Sequence, residues 1–200
     1  MKKIVALAIL LAAGVAAARA QESRQDISLS GTALIEPFKA SSTTVQVNST
    51  PAYGALLSYR FMLTPTSALE ANYGITYQNS IGYYVNPNHY KVLVRTQELS
   101  GAFVKSFVFR NWNPFVEAGP GALIFLPILN SGTTTHDTKQ QTEVGGLYGA
   151  GIAYEISPSF DIRAEYRGLV VKVPTFGDSQ FTTNRWYNIS EPVVGVAYHF

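Results

Sequence analysis

Ser190-Glu191-Pro192-Val193-Val194-Gly195-Val196-Ala197-Tyr198-His199-Phe200 closes the chain and decides how the rest is read. From Val194 the even positions are Val194, Val196, Tyr198 and Phe200, and the odd ones are Val193, Gly195, Ala197 and His199. One face is apolar and ends in aromatics; the other is small or polar. Side chains of a strand alternate faces with period two, so this stretch is a strand. Its last aromatic lies on the apolar face. The closing strand of a transmembrane barrel has this form, because it puts bulky apolar groups into lipid and an aromatic at the interface.

Working back from that end, the same alternation recurs. Expected strands are Asp26–Glu36, Pro51–Leu63, Ala68–Gln78, Val92–Phe109, Pro114–Leu126, Glu143–Ile156, Phe160–Val173 and Arg185–Phe200. Three short turns alternate with four longer connections. The turns are Thr64-Pro65-Thr66-Ser67, Arg110-Asn111-Trp112-Asn113 and Ser157-Pro158-Ser159. The longer connections include a Ser/Thr-rich loop at Pro37–Thr50, a second holding Asn79-Ser80 and Asn86-Pro87-Asn88-His89, and Pro127–Thr142 and Pro174–Asn184. About eight strands, short turns at one end and long loops at the other predict an all-β, up-and-down antiparallel transmembrane barrel. Two residues strain the pattern. Lys105 has the parity of the aromatics, which snorkelling at the membrane rim or a bulge would explain. Pro120 interrupts the fifth strand.

The apolar face must be the outer one, because the opposite face gathers Arg60, Glu70, Glu98, Glu117, Glu155, Asp161, Arg163, Glu165 and Arg167. Such charges would be costly in an apolar core. In a membrane barrel they line the lumen, where both signs can pair. Glycines interleave with them and leave room. Arg60 and Glu70 flank their turn symmetrically and should be near-opposite. Glu155 and Arg163 should meet diagonally across Ser157-Pro158-Ser159.

Bulk composition agrees. Of 200 residues, 12% are aromatic and only 14% charged, well under the usual quarter for soluble domains. Lys2 and Lys3, an apolar run from Ile4 to Ala18, and Ala18-Arg19-Ala20 form a secretory signal. Residues 1–20 are therefore expected to be removed and 21–200 to form one barrel domain. Lys2, Lys3 and Arg19 leave with the signal and no acid does, so 15 basic residues become twelve against 13 acidic ones. The apparent basicity belongs to the leader, and nucleic acid is excluded as a partner. The absence of Cys rules out disulfides, thiol chemistry and a lipoprotein anchor.

Phrases such as Pro114-Phe115-Val116-Glu117-Ala118-Gly119-Pro120-Gly121, Gly149-Ala150-Gly151-Ile152-Ala153-Tyr154 and Arg163-Ala164-Glu165-Tyr166-Arg167, with the terminal Phe200, give the mature chain a family likeness. It resembles the small outer-membrane β-barrels of the OmpA/opacity-type superfamily. The resemblance implies a location in the bacterial outer membrane. It also implies that Tyr198 and Phe200 form the signal read by the barrel assembly machinery. Nothing follows Phe200, so the peptidoglycan-binding domain of larger relatives is expected to be absent.

Catalytic groups are hard to assemble. Deacylation of lipid A would need His and Ser together on the lipid-facing wall. Of the three His, His89 and His136 fall in expected loops and His199 is penultimate. Thr135-His136-Asp137 is a poor metal site without further ligands. The expectation is a monomeric barrel with no cofactor, no metal and no enzymatic activity. Its lumen is filled by side chains, since about eight strands leave an interior just wide enough for them. Its role is structural or in surface interaction, with outer-membrane lipids, lipopolysaccharide included, as partners. A narrow channel for ions or small solutes is the alternative, followed by a lipid A-modifying enzyme.

Overall fold

The computed structural model describes residues 24–36, 45–85, 88–128 and 138–200. The expected leader, 1–20, lies outside these residues, as do His136-Asp137 and most of the third expected loop. The strands are β1 (Gln25–Leu34), β2 (Val45–Ser49), β3 (Ala52–Thr64), β4 (Ser67–Val85), β5 (Asn88–Ser106), β6 (Trp112–Pro127), β7 (Gln141–Ser157), β8 (Phe160–Lys172) and β9 (Trp186–His199). They form one sheet in the order β2-β4-β3-β1-β9-β8-β7-β6-β5, and β4 also pairs with β5, which closes it. Every pairing is antiparallel. β2 and β3 both pair with β4 in one register, Ser49 opposite Ile81 and Gly54 opposite Thr76. They are two halves of one stave, so nine segments make an eight-stranded barrel.

The stave breaks at Thr50-Pro51, where proline has no N–H to give a ladder. Thr50 repairs the gap. Its amide donates to the Ser80 carbonyl at 3.0 Å, and its hydroxyl accepts from the Ser80 amide at 3.0 Å. At Pro120 the β5–β6 ladder skips from Ser100 opposite Gly121 to Phe103 opposite Ala118. The strand survives this omission because Gly119 lets the chains close up. A Cβ there would collide with the Gly101 carbonyl oxygen.

The hairpin ends Pro65-Thr66, Arg110-Asn111 and Pro158-Ser159 all lie at one end, with both ends of the described barrel. There the Phe200 amide donates to the Gln25 carbonyl at 3.0 Å. Arg110 has φ 56°, the left-handed backbone that the first position of a type II′ hairpin turn takes. Short turns mark the periplasmic end. Lys105 sits there too. Its Nζ donates to the hydroxyls of Thr66 at 2.7 Å and Ser67 at 3.1 Å. Lys105 pairs with Ser67 in unbroken register, so snorkelling explains it and a bulge does not.

Two expected loops are shorter than the sequence suggested. Val45–Ser49, read as loop, is β2. Asn79-Ser80 and His89, also read as loop, lie in β4 and β5, which continue to Val85 and resume at Asn88. The physical reason is a change of parity. In β4, Leu69, Tyr73, Ile75 and Tyr77 face out, and Glu70, Asn72 and Thr76 are buried. The β4–β5 register then shifts between Ile75 and Gln78. Above the shift Asn79, Ile81 and Tyr83 are buried, while Gln78 and Tyr84 are exposed. β2 and β3 flip at the same height, with Thr50 and Pro51 both exposed. An inserted residue exchanges inside for outside.

Candidate functional site

The lumen is stratified. Nearest the periplasm, Ala68, Val104, Phe115 and Ala153 form a small apolar collar. Arg60 and Glu70 stand directly opposite each other in the β3–β4 register. Arg60 Nε donates to Glu70 Oε2 at 2.6 Å, and its guanidinium lies 4.8 Å from the Phe115 ring centre. On the other wall Arg163 grips Asp26 through two bonds, 2.9 and 2.7 Å. His199 Nε2 is 2.8 Å from Asp161.

Arg167 forms the next layer. Completely buried, it reaches from β8 to three other strands. Its guanidinium donates to Glu98 at 2.6 Å and Glu191 at 2.9 Å, and its Nε lies 3.3 Å from Glu117. Ser100 donates to Glu98 at 2.6 Å and Thr32 to Glu191 at 2.8 Å. Small residues make space for these groups. A Cβ at Gly149 would stand 2.5 Å from Glu117 Oε1, and one at Gly74 3.1 Å from the Glu98 side chain. Bidentate and multiply bonded guanidinium–carboxylate contacts of this kind are the strong ones.

One expected pair is corrected. Glu155 does not meet Arg163. The β7–β8 register sets Ala153 opposite Arg163 and Glu155 opposite Asp161. Arg163 turns instead to Asp26 on β1, two staves away, where it makes two bonds rather than one diagonal approach. Glu155 and Glu165 are half-buried, and neither enters an ion pair among the described residues. Asp26 and Glu191, partners of the two inner arginines, were not among the expected charges. Both carry the inward parity of their strands: Asp26 that of Ser28 and Ser30, Glu191 that of Val193. Each stands at the edge of its alternating run, where the pattern is easiest to discount.

Above Arg167 the lumen turns apolar. Leu123, Phe125, Leu147, Leu169, Val171 and Ile189 point inward and are buried. The connection from β8 to β9 folds over this layer. It contains a single 3-10 turn at Ser179–Phe181, capped by Asp178, whose side chain accepts from the Gln180 amide at 2.9 Å. Phe181 stacks on Tyr83 with ring centres 4.3 Å apart, and Phe176 meets Tyr83 edge-on at 6.3 Å. Phe176 has φ 51° and Gly177 φ 82°. That turn is held by Gln141, whose carbonyl oxygen accepts from the amides of Phe176 at 2.6 Å and Thr175 at 2.9 Å. Tyr83 donates to the Pro174 carbonyl at 2.7 Å.

At the rim of this core Glu36 is buried. Asn79 approaches it at 3.5 Å. Burial pushes its carboxyl up to about 7, against the pull of hydrogen bonds from Ser49 and Asn79.

Tyr198 and Phe200 lie at the periplasmic end. Their rings stack with centres 6.1 Å apart, and Tyr198 also meets Phe160 at 5.1 Å. Among the described residues no group of three or more His, Asp or Glu could hold a metal ion. His89 is exposed beside Tyr84 and His199 is tied to Asp161, on opposite ends of the barrel.

An apolar outer belt, aromatic ends, short periplasmic turns and a lumen packed with paired charge define an integral barrel of the bacterial outer membrane. The family model for the outer membrane protein beta-barrel domain matches residues 5–200, and the chain belongs to that family. No curated protein matches it. Among solved structures it is similar to Neisserial surface protein A, at 15% identity and TM-score 0.58, covering 88% of this chain and 97% of that one. It is similar to OprG from Pseudomonas aeruginosa, at 11% identity and TM-score 0.61, covering 90% and 97%. It is also similar to Ail of Yersinia pestis, solved with the heparin analogue sucrose octasulfate, at 14% identity and TM-score 0.50, covering 88% and 98%. At these identities the likeness is one of fold.

Proposed function

We propose that this protein is a sealed, non-enzymatic barrel, with a structural role in the outer membrane and an interaction surface at its extracellular end. The observation that carries this is the double closure of the lumen. Arg167 and its three carboxylates cross it at mid-height, and the core of Tyr83, Phe125, Phe176 and Phe181 fills it above. An ion would have to break a buried charge cluster and then enter a dry apolar layer. Of the described His residues, His199 points into the lumen toward Asp161, and His89 stands above the apolar belt with its ring against Tyr84. The barrel works as a monomer, inserted by the assembly machinery through Tyr198 and Phe200. The experiment is bilayer recording of the purified mature protein beginning at Gln21. Conductance at background level is expected. Steady openings altered by Glu117→Gln would overturn the sealed reading and make the channel the better one. Deleting Phe200 should slow insertion while secretion continues; insertion at the wild-type rate would remove Phe200 from the signal.

A further inference from the structure

One ladder of this barrel joins strands far apart in the chain. β1 meets β9, whereas the other ladders among the described residues join staves consecutive in sequence. This closing seam is also the shortest. It pairs seven positions, from Asp26 opposite His199 to Thr32 opposite Val193, with one further bridge at Ile35–Ser190. The ladders between other staves pair ten or more. On the lipid side Leu29 faces Val196 and Gly31 faces Val194, which gives no polar grip.

The lumen side supplies a grip at each end of the seam. At the periplasmic end it is Asp26, the one charged residue of β1. Asp26 is completely buried and accepts from both Nη groups of Arg163, at 2.9 and 2.7 Å, while His199 Nδ1 stands 3.9 Å away. Arg163 belongs to β8 and must reach past β9 to do this. It can because the β9 position opposite it is Gly195. A Cβ at Gly195 would also collide with Ser30 Oγ and the Leu29 carbonyl oxygen of β1. At the other end the Thr32 hydroxyl donates to Glu191 of β9 at 2.8 Å, and Arg167 holds Glu191 from β8 at 2.9 Å. Between the two ends Ser28 and Ser30 face Ala197 and Gly195, which have no polar side-chain atom.

We propose that the β1–β9 seam is where this barrel opens, and that Asp26 is the latch that keeps it shut. The two grips are unequal. Asp26 accepts two charge-assisted bonds from a strand beyond the seam. Thr32 gives one neutral donor to an acid that Arg167 already holds. Pairing the two ends of the chain carries the largest loop-closure cost in the fold, so this ladder has the least local support. Without Asp26 the periplasmic end of the seam parts while the other ladders keep their bonds. The inference goes beyond the sealed-barrel reading and does not depend on it, because a conducting barrel would have the same seam.

The chain has no Cys, so a single introduced thiol reports on one place. Ser28→Cys puts it in the seam, buried and opposite Ala197; Ala102→Cys puts it in β5 on the far wall, also buried. The mature protein, folded into phosphatidylcholine vesicles, is treated with N-ethylmaleimide and the labelling rate is read by mass spectrometry. Adding Asp26→Ala should speed labelling at position 28 roughly tenfold or more and leave labelling at position 102 unchanged. Thr32→Val should raise labelling at position 28 by less. The double variant Asp26→Ala/Arg163→Met leaves no guanidinium stranded and should show the same selective rise as Asp26→Ala. Wild-type labelling at position 28 in the double variant would overturn the proposal, even where the single variant does not fold. An equal rise at both reporters, or a larger effect from Thr32→Val than from Asp26→Ala, would overturn it too.

Discussion

The two halves of this barrel are built on opposite principles from the same strands. Below the rim, β8 turns Asp161, Arg163, Glu165 and Arg167 inward and Ile162, Ala164 and Tyr166 to lipid. Above it, the inward positions become Leu169 and Val171, and Lys172 faces out with its Nζ 5.6 Å from the Trp186 ring centre. The lower half is inside-out, as an apolar solvent demands. The upper half is an ordinary water-soluble core. What differs is only the medium outside the wall. A charge in the lower lumen is held by its partner, and an apolar side chain in the upper lumen is held by exclusion from water.

The largest test of that contrast is Arg167→Ala. It would leave Glu98, Glu117 and Glu191 buried around no cation. Stranding a buried ion pair's partner costs about 3–5 kcal/mol, and three carboxylates share this one. Urea unfolding, followed by the shift between unheated and heated bands, should show loss of most of the folded fraction. An unchanged midpoint would mean that the lower lumen is not held by charge.

Phe181→Ala probes the upper half. Removing a buried Phe costs about 3–5 kcal/mol in a closed core. Here the loss should fall largely on the β8–β9 connection, because the staves keep their ladders. Limited proteolysis between Pro174 and Arg185 should speed up while the unfolding midpoint moves little. A global loss equal to that of Arg167→Ala would erase the distinction between the halves.

Arg60→Ala and Glu70→Ala should each lower the midpoint by about 1–3 kcal/mol, because this end of the lumen is close to water. The double variant should lose less than the sum of the two. Strict additivity would mean that the two groups are not energetically coupled.

The smallest effect is the pH dependence at Glu36. Its folded carboxyl sits at about 7, raised from 4.5. A raised acid favours the folded state while protonated, so this contribution is fully present below 4.5 and is lost as pH rises through 7. Glu36→Gln should therefore raise the midpoint at pH 8 and leave it unchanged at pH 4. A variant that destabilises equally at both values would show that the site is held by packing alone.

Much of this was legible from alternation. Eight staves, the end bearing the turns and the outward belt follow from a period of two that each strand repeats. The hairpin partner of Arg60 could be counted from Pro65. Three things could not be counted. Val45–Ser49 and Asn79–Val85 carry the strand period, but in shifted phase, so alternation begun below the irregularity makes them look like loop. Gln46, Asn48 and Ser80 also read as loop, although they lie on the outer side of a strand above lipid. The Arg163–Asp26 and Arg167–Glu98 contacts cross the lumen between residues far apart in sequence, and only the closed register brings them together. The folding of Phe176 and Phe181 into the mouth depends on a left-handed backbone turn and on Gln141 of another strand.

The parity exchange at Thr50-Pro51 and Tyr77-Gln78 also orders assembly in time. Gln46, Asn48, Gln78, Lys91 and Arg95 are the outer skin of the upper half, and they cannot cross hydrocarbon as a finished polar surface. The tip must pass through the membrane unfolded and gather its core on the far side. The lower charges can pair while the wall closes around them. The expected order of completion is from the periplasm outward, with the Tyr83–Phe181 stack forming late.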